Sequence, residues 1–334
     1  MTTRILHTAD LAIAADLLRQ GELVAFPTET VYGLGANALN EAAVRRVYEV
    51  KGRPTDNPMI VHVHSCQQAR ELMQVVPDFF SELTNEFWPG PLTLIVKHNA
   101  AVPDVVTAGL DTVALRIPDL RVTRDLLRLA NIPLAAPSAN ISGRPSPTTA
   151  EQVFNDLNGR ISAVLDGGPC PLGIESTVLD LTSAEPTILR PGTVTREDLE
   201  DVTQSRVYFA ETNSDRPLSP GMKYRHYAPR AELKIIPWND LVESMLRDTC
   251  TAVRQHVEAG RRVGLMAPDS FRGCGETHWY SLGAGLAVDY ARLLYAGMRE
   301  LDEAGAEVIL CPGIEAEGIG LAVMNRLLKA GEIQ

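Results

Sequence analysis

Residues Pro27–Ala38, PTETVYGLGANA, decide between two folds. The run Gly33-Leu34-Gly35-Ala36-Asn37-Ala38 fits G-x-G-x-x-[GA], the turn that places a pyrophosphate on a helix N-terminus in a doubly wound sheet. That turn needs a strand running directly into the glycines and a helix leaving them. Here the apolar run 23–26 stops at Pro27, and six residues separate it from Gly33. No helix starts at the glycines either, because the best N-cap is Asn40, followed by Glu41 in the first turn. The stretch reads instead as a polar loop at a strand end. It presents Thr28, Glu29, Thr30 and Tyr32, and its glycines permit a close turn.

On either side, short apolar runs alternate with helical periods, the pattern of an α/β or α+β domain. Strands are expected at 23–26, 59–63, 92–96, 113–117, 134–136, 163–166 and 177–181, and helices at 11–20, 41–51, 67–73, 79–87, 121–130 and 150–157. Gly21 closes the first helix, Gly52 and Pro54 close the second, and Thr149 caps the last. Between Glu211 and Arg230 the periodicity stops, with three prolines, one glycine and the unspacer-like aromatics Tyr224, His226 and Tyr227. This segment is either a linker packed on a domain seam or one that reaches into a site. Beyond it a smaller domain alternates strands (233–237, 262–267, 307–311) with helices (within 239–259, 287–304 and 321–330), which predicts a parallel sheet.

The 334 residues, 45% hydrophobic and 22% charged, suit a soluble chain of about two domains. No apolar run nears the roughly 20 residues that span a bilayer, and the N-terminus has no signal-peptide core, so a cytoplasmic location is expected. Five widely spaced cysteines (Cys66, Cys170, Cys250, Cys274, Cys311), with no C-x-x-C, read as reduced thiols rather than a zinc site or disulfide framework. A net charge of −11 argues against a surface that clings to nucleic acid throughout, although 51–53 and 223–230 are locally basic.

Those basic clusters flank the chemistry. Lys51 and Arg53 stand one residue apart at a helix end broken by Gly52 and Pro54. They either answer the helix dipole or project into one space. In the run 59–64, Met59, Val61 and Val63 share one face, and Ile60, His62 and His64 the other. Pro137-Ser-Ala-Asn-Ile-Ser-Gly143 sets Ser138 and Asn140 on one side of an extended chain, where they are equally good turn formers. Ser146, Ser176 and Arg190 add polar groups near strand ends. Arg116 is a cation inside an apolar strand, costly unless an anion pairs with it, and its fork suits a carboxylate.

In order, PTETVYGLGANA, KGRP, NP(x)IVH, ALRIP, PSAN(x)SG, ESTVLD, LRPG and SPGMKYRHYAP resemble the YrdC-type threonylcarbamoyl-AMP synthase family, in its long form with a C-terminal extension. The resemblance implies an α/β fold: a YrdC-like twisted mixed sheet with a concave basic cleft, followed by a smaller Rossmann-like domain. It places the catalytic domain at 1–205, a linker or lid at 206–230 and the C-terminal domain at 231–334. It implies a nucleotidyltransferase that converts L-threonine, bicarbonate or CO2, and ATP into L-threonylcarbamoyl-AMP and diphosphate, for t6A modification at tRNA position 37. The implied catalytic residues are Lys51 and Arg53. Those implied for ATP are Arg53, Asn57, Thr112, Ser138, Asn140, Ser146, Arg190, Tyr224, Arg225 and His226; those for threonine are Thr30, His62, Arg116, Ala136 and Ser176. Mg²⁺ arrives on ATP with no metal site of the protein's own, and downstream t6A-transfer proteins and tRNA are further partners.

The residues fit that chemistry. The chain has no Walker A motif, so something else must hold the phosphates, and the residues that the resemblance implies, Lys51, Arg53 and Arg190 with Ser138, Asn140 and Ser146, could supply it. Arg116 is free for a threonine carboxylate, with Thr30 at the ligand. Residues 219–229 are expected to close over the loaded cleft. Two alternatives remain: a non-catalytic RNA-binding module, against which the charge of −11 and 5% aromatic residues speak, and a hydrogenase-maturation carbamoyl-transfer domain, whose zinc-finger cysteines are missing.

Overall fold

The structure, a computed structural model, describes residues 2–210 and 227–334. Tyr224, Arg225 and His226, with most of the expected lid, lie outside the described residues. The described chain forms two compact units: 2–142, 146–171 and 175–210 make the first, and 143–145, 172–174 and 227–334 the second.

The strands of the first unit are β1 (Arg4–Leu6), β2 (Val24–Phe26), β3 (Gly33–Asn37), β4 (Ile60–His62), β5 (Leu92–Lys97), β6 (Thr112–Arg116), β7 (Leu134–Ala135), β8 (Ala163–Leu165), β9 (Thr177–Asp180), β10 (Thr187–Arg190) and β11 (Tyr208–Phe209). They form one mixed sheet in the order β1-β8-β2-β3-β7-β4-β6-β5-β9-β10-β11. It contains both parallel pairs (β4 with β6, β5 with β9) and antiparallel ones (β3 with β7, β5 with β6). The period of two in each strand sorts side chains between faces. Ala25, Leu34, Ala36, Val61, Val63, Leu94, Val96, Leu115 and Ala135 all enter one core, packed by Val44, Val47, Leu83 and Val153 from helices. Each large side chain buried there contributes roughly 1.5–3 kcal/mol.

The opening motif corrects one expectation. Gly33 and Gly35 lie inside β3, not in a turn, and pair antiparallel with Phe26 and Val24 of β2. A Cβ at Gly35 would sit 2.6 Å from Cε1 of Phe26, so glycine is required for that ring to cross the strand. The helix does begin at Glu41, with the Asn40 side chain accepting from the Ala43 amide. β1, β10 and β11 and the helix Arg196–Thr203 were not foreseen. The strands are too short to carry a period, and the helix hides in an acidic run whose Thr195–Asp198 capping box is its main local signal. Because β11 pairs with β10, residues 208–209 belong to the sheet and not to a linker starting at 206.

The second unit has β12 (Glu232–Ile236), β13 (Val263–Ala267), β14 (His278–Ser281), β15 (Val308–Pro312) and β16 (Glu332–Ile333), all parallel, in the order β14-β13-β15-β12-β16. Helices Val242–Glu258, Ala287–Glu303 and Gly318–Ala330 connect them, as the alternation predicts, although β14 and β16 were not expected. The cysteine reading is corrected as well, since Cys250 and Cys274 form a disulfide. Folding brings a helix and a distant loop together there, a proximity that a separation of 24 residues does not signal. No helix among the described residues is long and apolar enough to cross a membrane.

Candidate active site

Strand register decides what shares the sheet face opposite the helix-packed core. Ile60 pairs with Ala114 and His62 with Arg116, and His62 also pairs with Leu134. Ala136 donates its amide to the Ile60 carbonyl, and Ser138 bridges to Gly33. Partners across a ladder project to the same face. That face therefore collects His62, Arg116 and Ser138 over a floor kept low by Gly33, Ala114 and Ala136. Ile60, Ile95, Ala114, Val178 and Leu189 make a small apolar cluster on it.

Arg116 is 3% exposed and is not free, contrary to the sequence reading. Its Nη2 pairs with Glu29 at 2.5 Å, Nη1 donates to the Thr30 hydroxyl at 3.0 Å, and Nε donates to the Gly90 carbonyl at 3.1 Å. Glu29 also accepts from the Asp119 amide. The anion that a buried guanidinium requires thus comes from the PTET motif itself, and an N–H on each Nη is left over for a ligand carboxylate. Thr30, placed at the ligand by resemblance, is held against Arg116.

His62 is 3% exposed, lies edge-on to Phe26 at 5.9 Å, and its Nδ1 has no hydrogen-bond partner. Burial first, and the neighbouring Arg116 charge second, push its pKa down to about 3 from the ordinary 6.5. The imidazole is neutral at physiological pH. Between about pH 6.5 and 3 the unfolded chain binds a proton that the folded protein does not, so stability falls as pH drops through that window. The slope from this residue reaches about 1.4 kcal/mol per pH unit. We expect the His62 Cε1–H resonance not to titrate from pH 8 to 5 and His62→Gln to flatten acid destabilisation; titration near 6.5 would contradict the burial argument.

Lys51 and Arg53 hold different backbone carbonyls. Gly52, left-handed at φ +61°, ends the helix Glu41–Lys51. Lys51, 2% exposed, sends Nζ to the Ser138 and Asn140 carbonyls, and the Ser142 amide returns to the Lys51 carbonyl. Arg53 instead holds the turn before β4, through Nε to the Asn57 carbonyl at 3.2 Å and Nη2 to the Pro58 carbonyl at 2.8 Å. Ser138 Oγ donates to Asn140 Oδ1 at 2.6 Å. Ser146 is fully buried and donates to Glu175 at 2.6 Å.

Arg190 ends β10 and is buried. A register shift between Ile188 and Arg190 turns it onto Ser176, with Nε to the carbonyl and Nη2 to Oγ, both at 3.1 Å. Ser176 Oγ also meets Thr93 Oγ1 at 2.7 Å. A residue expected at ATP is therefore bonded to one expected at threonine. Thr112 stands apart from that group, at the start of β6, whereas Arg116 ends it. The strand separates them by roughly 13 Å at about 3.3 Å per residue. Asn57, preceding β4, lies toward the Thr112 end of this parallel pair.

A buried polar atom without a hydrogen-bond partner is costly and calls for an explanation. Among the described residues five side-chain atoms are of this kind: Asn57 Oδ1, His62 Nδ1, Ser142 Oγ and Thr193 Oγ1, which fall in or beside the motif segments, and Glu276 Oε2 of the second unit, which does not. Asn57 and His62 were foreseen; Ser142 and Thr193 were not singled out. Ser142 continues the alternation of Ser138 and Asn140, a signal present in the sequence. Thr193 follows LRPG with no local signal. Glu29 and Glu175, which anchor Arg116 and Ser146, were also missing from the expected set.

Comparison with known proteins bears on both units. A family model described as "Telomere recombination" matches residues 16–192, and one described as "Threonylcarbamoyl-AMP synthase, C-terminal domain" matches 194–331. Threonylcarbamoyl-AMP synthases of Pyrococcus abyssi and Bacillus subtilis are each 45% identical over 96% of this chain, covering 93% and 92% of their own lengths. The crystal structure of P. abyssi Sua5 complexed with L-threonine matches with a TM-score of 0.92 at 42% identity, over 100% of both chains. E. coli YciO, at 20% identity and a TM-score of 0.51, shares the fold over 57% of this chain and 95% of its own.

Proposed function

Because this chain belongs to the threonylcarbamoyl-AMP synthase family, matched across both units, we propose that the sheet face bearing His62, Arg116, Ser176 and Arg190 is its active site. The reaction is ATP-dependent synthesis of L-threonylcarbamoyl-AMP with release of diphosphate. Threonine's amine takes up CO2 derived from bicarbonate to form a carbamate. A carbamate oxygen then bonds to the α-phosphorus as the Pα–O–Pβ bond breaks and diphosphate leaves with that electron pair. No protein nucleophile is needed, so catalysis rests on positioning and on stabilising charge.

The observation that carries this reading is the set of polar groups gathered on one face of small residues and held by buried partners. Arg116, set by Glu29, offers its remaining N–H groups to the threonine carboxylate. Neutral His62 accepts from the threonine hydroxyl through Nδ1. Arg53, Asn57 and Thr112, toward the other end of β4 and β6, take the adenylate side, and Lys51 holds the loop of Ser138 and Asn140 toward the phosphates. Among the described residues no three His, Cys, Asp or Glu side chains gather as metal ligands, and the carboxylates at this face, Glu29 and Glu175, hold Arg116 and Ser146. Mg²⁺ would arrive with the triphosphate and neutralise phosphate charge. The product is an activated carbamoyl group for tRNA t6A modification by downstream transfer proteins.

Diphosphate release and threonylcarbamoyl-AMP, followed by mass spectrometry, test the reading. Omitting threonine or bicarbonate should abolish the adenylate product. Diphosphate release at the same rate without either would overturn the assignment.

A further inference from the structure

One face of the helix Ala287–Glu303 holds two pieces of backbone that lie far away in sequence. Ala291, Tyr295 and Arg299 follow at intervals of four residues and so share that face. At one end a Cβ on Gly173 would lie 2.5 Å from the Ala291 carbonyl oxygen and from Arg292 Cα, so residues 172–174 rest directly on helix backbone. Gly173 is left-handed at φ +78°, which doubly favours glycine. At the other end Arg299, 8% exposed, donates through Nε at 3.2 Å and Nη2 at 2.6 Å to the Pro145 carbonyl. Between them Tyr295 stacks on Tyr227 at 5.3 Å, and the next residue, Ala228, donates to the Gly143 carbonyl. Residues 143–145 and 172–174 thus belong by contact to the second unit.

Both strips adjoin site residues. The first lies between Ser142, whose Oγ is buried without a partner, and Ser146; the second runs into Glu175 and Ser176. The Ser146–Glu175 hydrogen bond ties their ends together. A guanidinium that places two N–H groups on one carbonyl fixes that carbonyl's direction as well as its distance. We infer that Arg299 is a positioning residue for the reaction: by clasping Pro145 it sets the loop 138–146, which carries Ser138, Asn140 and Ser146.

The kinetic part of this inference rests on the proposed function; the structural part does not. In the full-length chain, Arg299→Met should raise amide exchange across 138–148 at least tenfold while leaving 112–118 unchanged. It should raise the KM for ATP about tenfold and move the KM for threonine by less than twofold, because Thr30, His62 and Arg116 are anchored elsewhere. Arg299→Lys, which keeps a charged donor, should bring the ATP value back to within about threefold of the parent. If Arg299→Met does not fold, Arg299→Gln is read by the same criteria. Parent-like exchange with an unchanged ATP KM overturns the inference, as does a uniform rise in exchange across the chain. A parent protein that makes no threonylcarbamoyl-AMP sinks the functional reading instead, and the exchange result still decides the loop's anchor.

Discussion

Valine, nearly isosteric with threonine but lacking its hydroxyl, is expected to be used on the order of 10³-fold less well in kcat/KM. Sites that surround a substrate hydroxyl with dedicated partners reject the analogue lacking it by roughly 10⁴–10⁵. Here one buried acceptor stands unpartnered, His62 Nδ1, and its ring is neutral because burial and Arg116 hold its pKa near about 3. Leaving that nitrogen unpaired costs about 1–3 kcal/mol, or roughly 10- to 100-fold, and loss of the hydroxyl's own bond in the transition state adds the remainder. Diphosphate release with each amino acid at saturating ATP and bicarbonate measures the ratio. His62→Ala should shrink it to about tenfold by removing the acceptor. A parent ratio below ten would mean that the pocket reads only carboxylate and shape.

Lys51→Met is expected to lower kcat by about 10²- to 10³-fold, the effect of deleting one preorganised charge-stabilising donor. The physical basis differs from that of an exposed phosphate clamp. Lys51 is 2% exposed, and its ammonium is fixed on the Ser138 and Asn140 carbonyls. Methionine fills similar space but leaves those carbonyls without their donor, so the loop loses its anchor and the site a positive charge. Lys51→Arg should not rescue activity, because a planar guanidinium does not fit where a compact ammonium meets two carbonyls. Steady-state kinetics with a melting curve for each variant tests this. A kcat within threefold of the parent in folded Lys51→Met would remove Lys51 from the catalytic machinery.

Much of the first sheet was legible because its strands alternate. Val61 against Ile60 and His62 already assigns two faces, and the folded sheet keeps that assignment. Helix ends were legible for the same local reason: Asn40, Gly52 and Thr149 carry capping chemistry that acts within a turn, and each caps where expected. The second unit's parallel sheet followed from the repeated succession of strand and helix. Gly33 and Gly35 resisted, because a glycine pair looks alike in a turn and in a strand. Only the Phe26 ring lying across Gly35 distinguishes them.

The class of fold and the order of the motifs were already readable along the chain, since periodicity and capping are properties of neighbouring residues. Tertiary structure alone decided the partners. It matched Arg116 with Glu29, Ser146 with Glu175, Arg190 with Ser176 and Cys250 with Cys274, and it gave Lys51 and Arg53, with one residue between them, different backbone carbonyls to hold. The reason is one of range. A hydrogen bond or an ion pair acts over a few ångströms in space, and for residues far apart in the chain that distance is set by strand register, which local sequence does not encode.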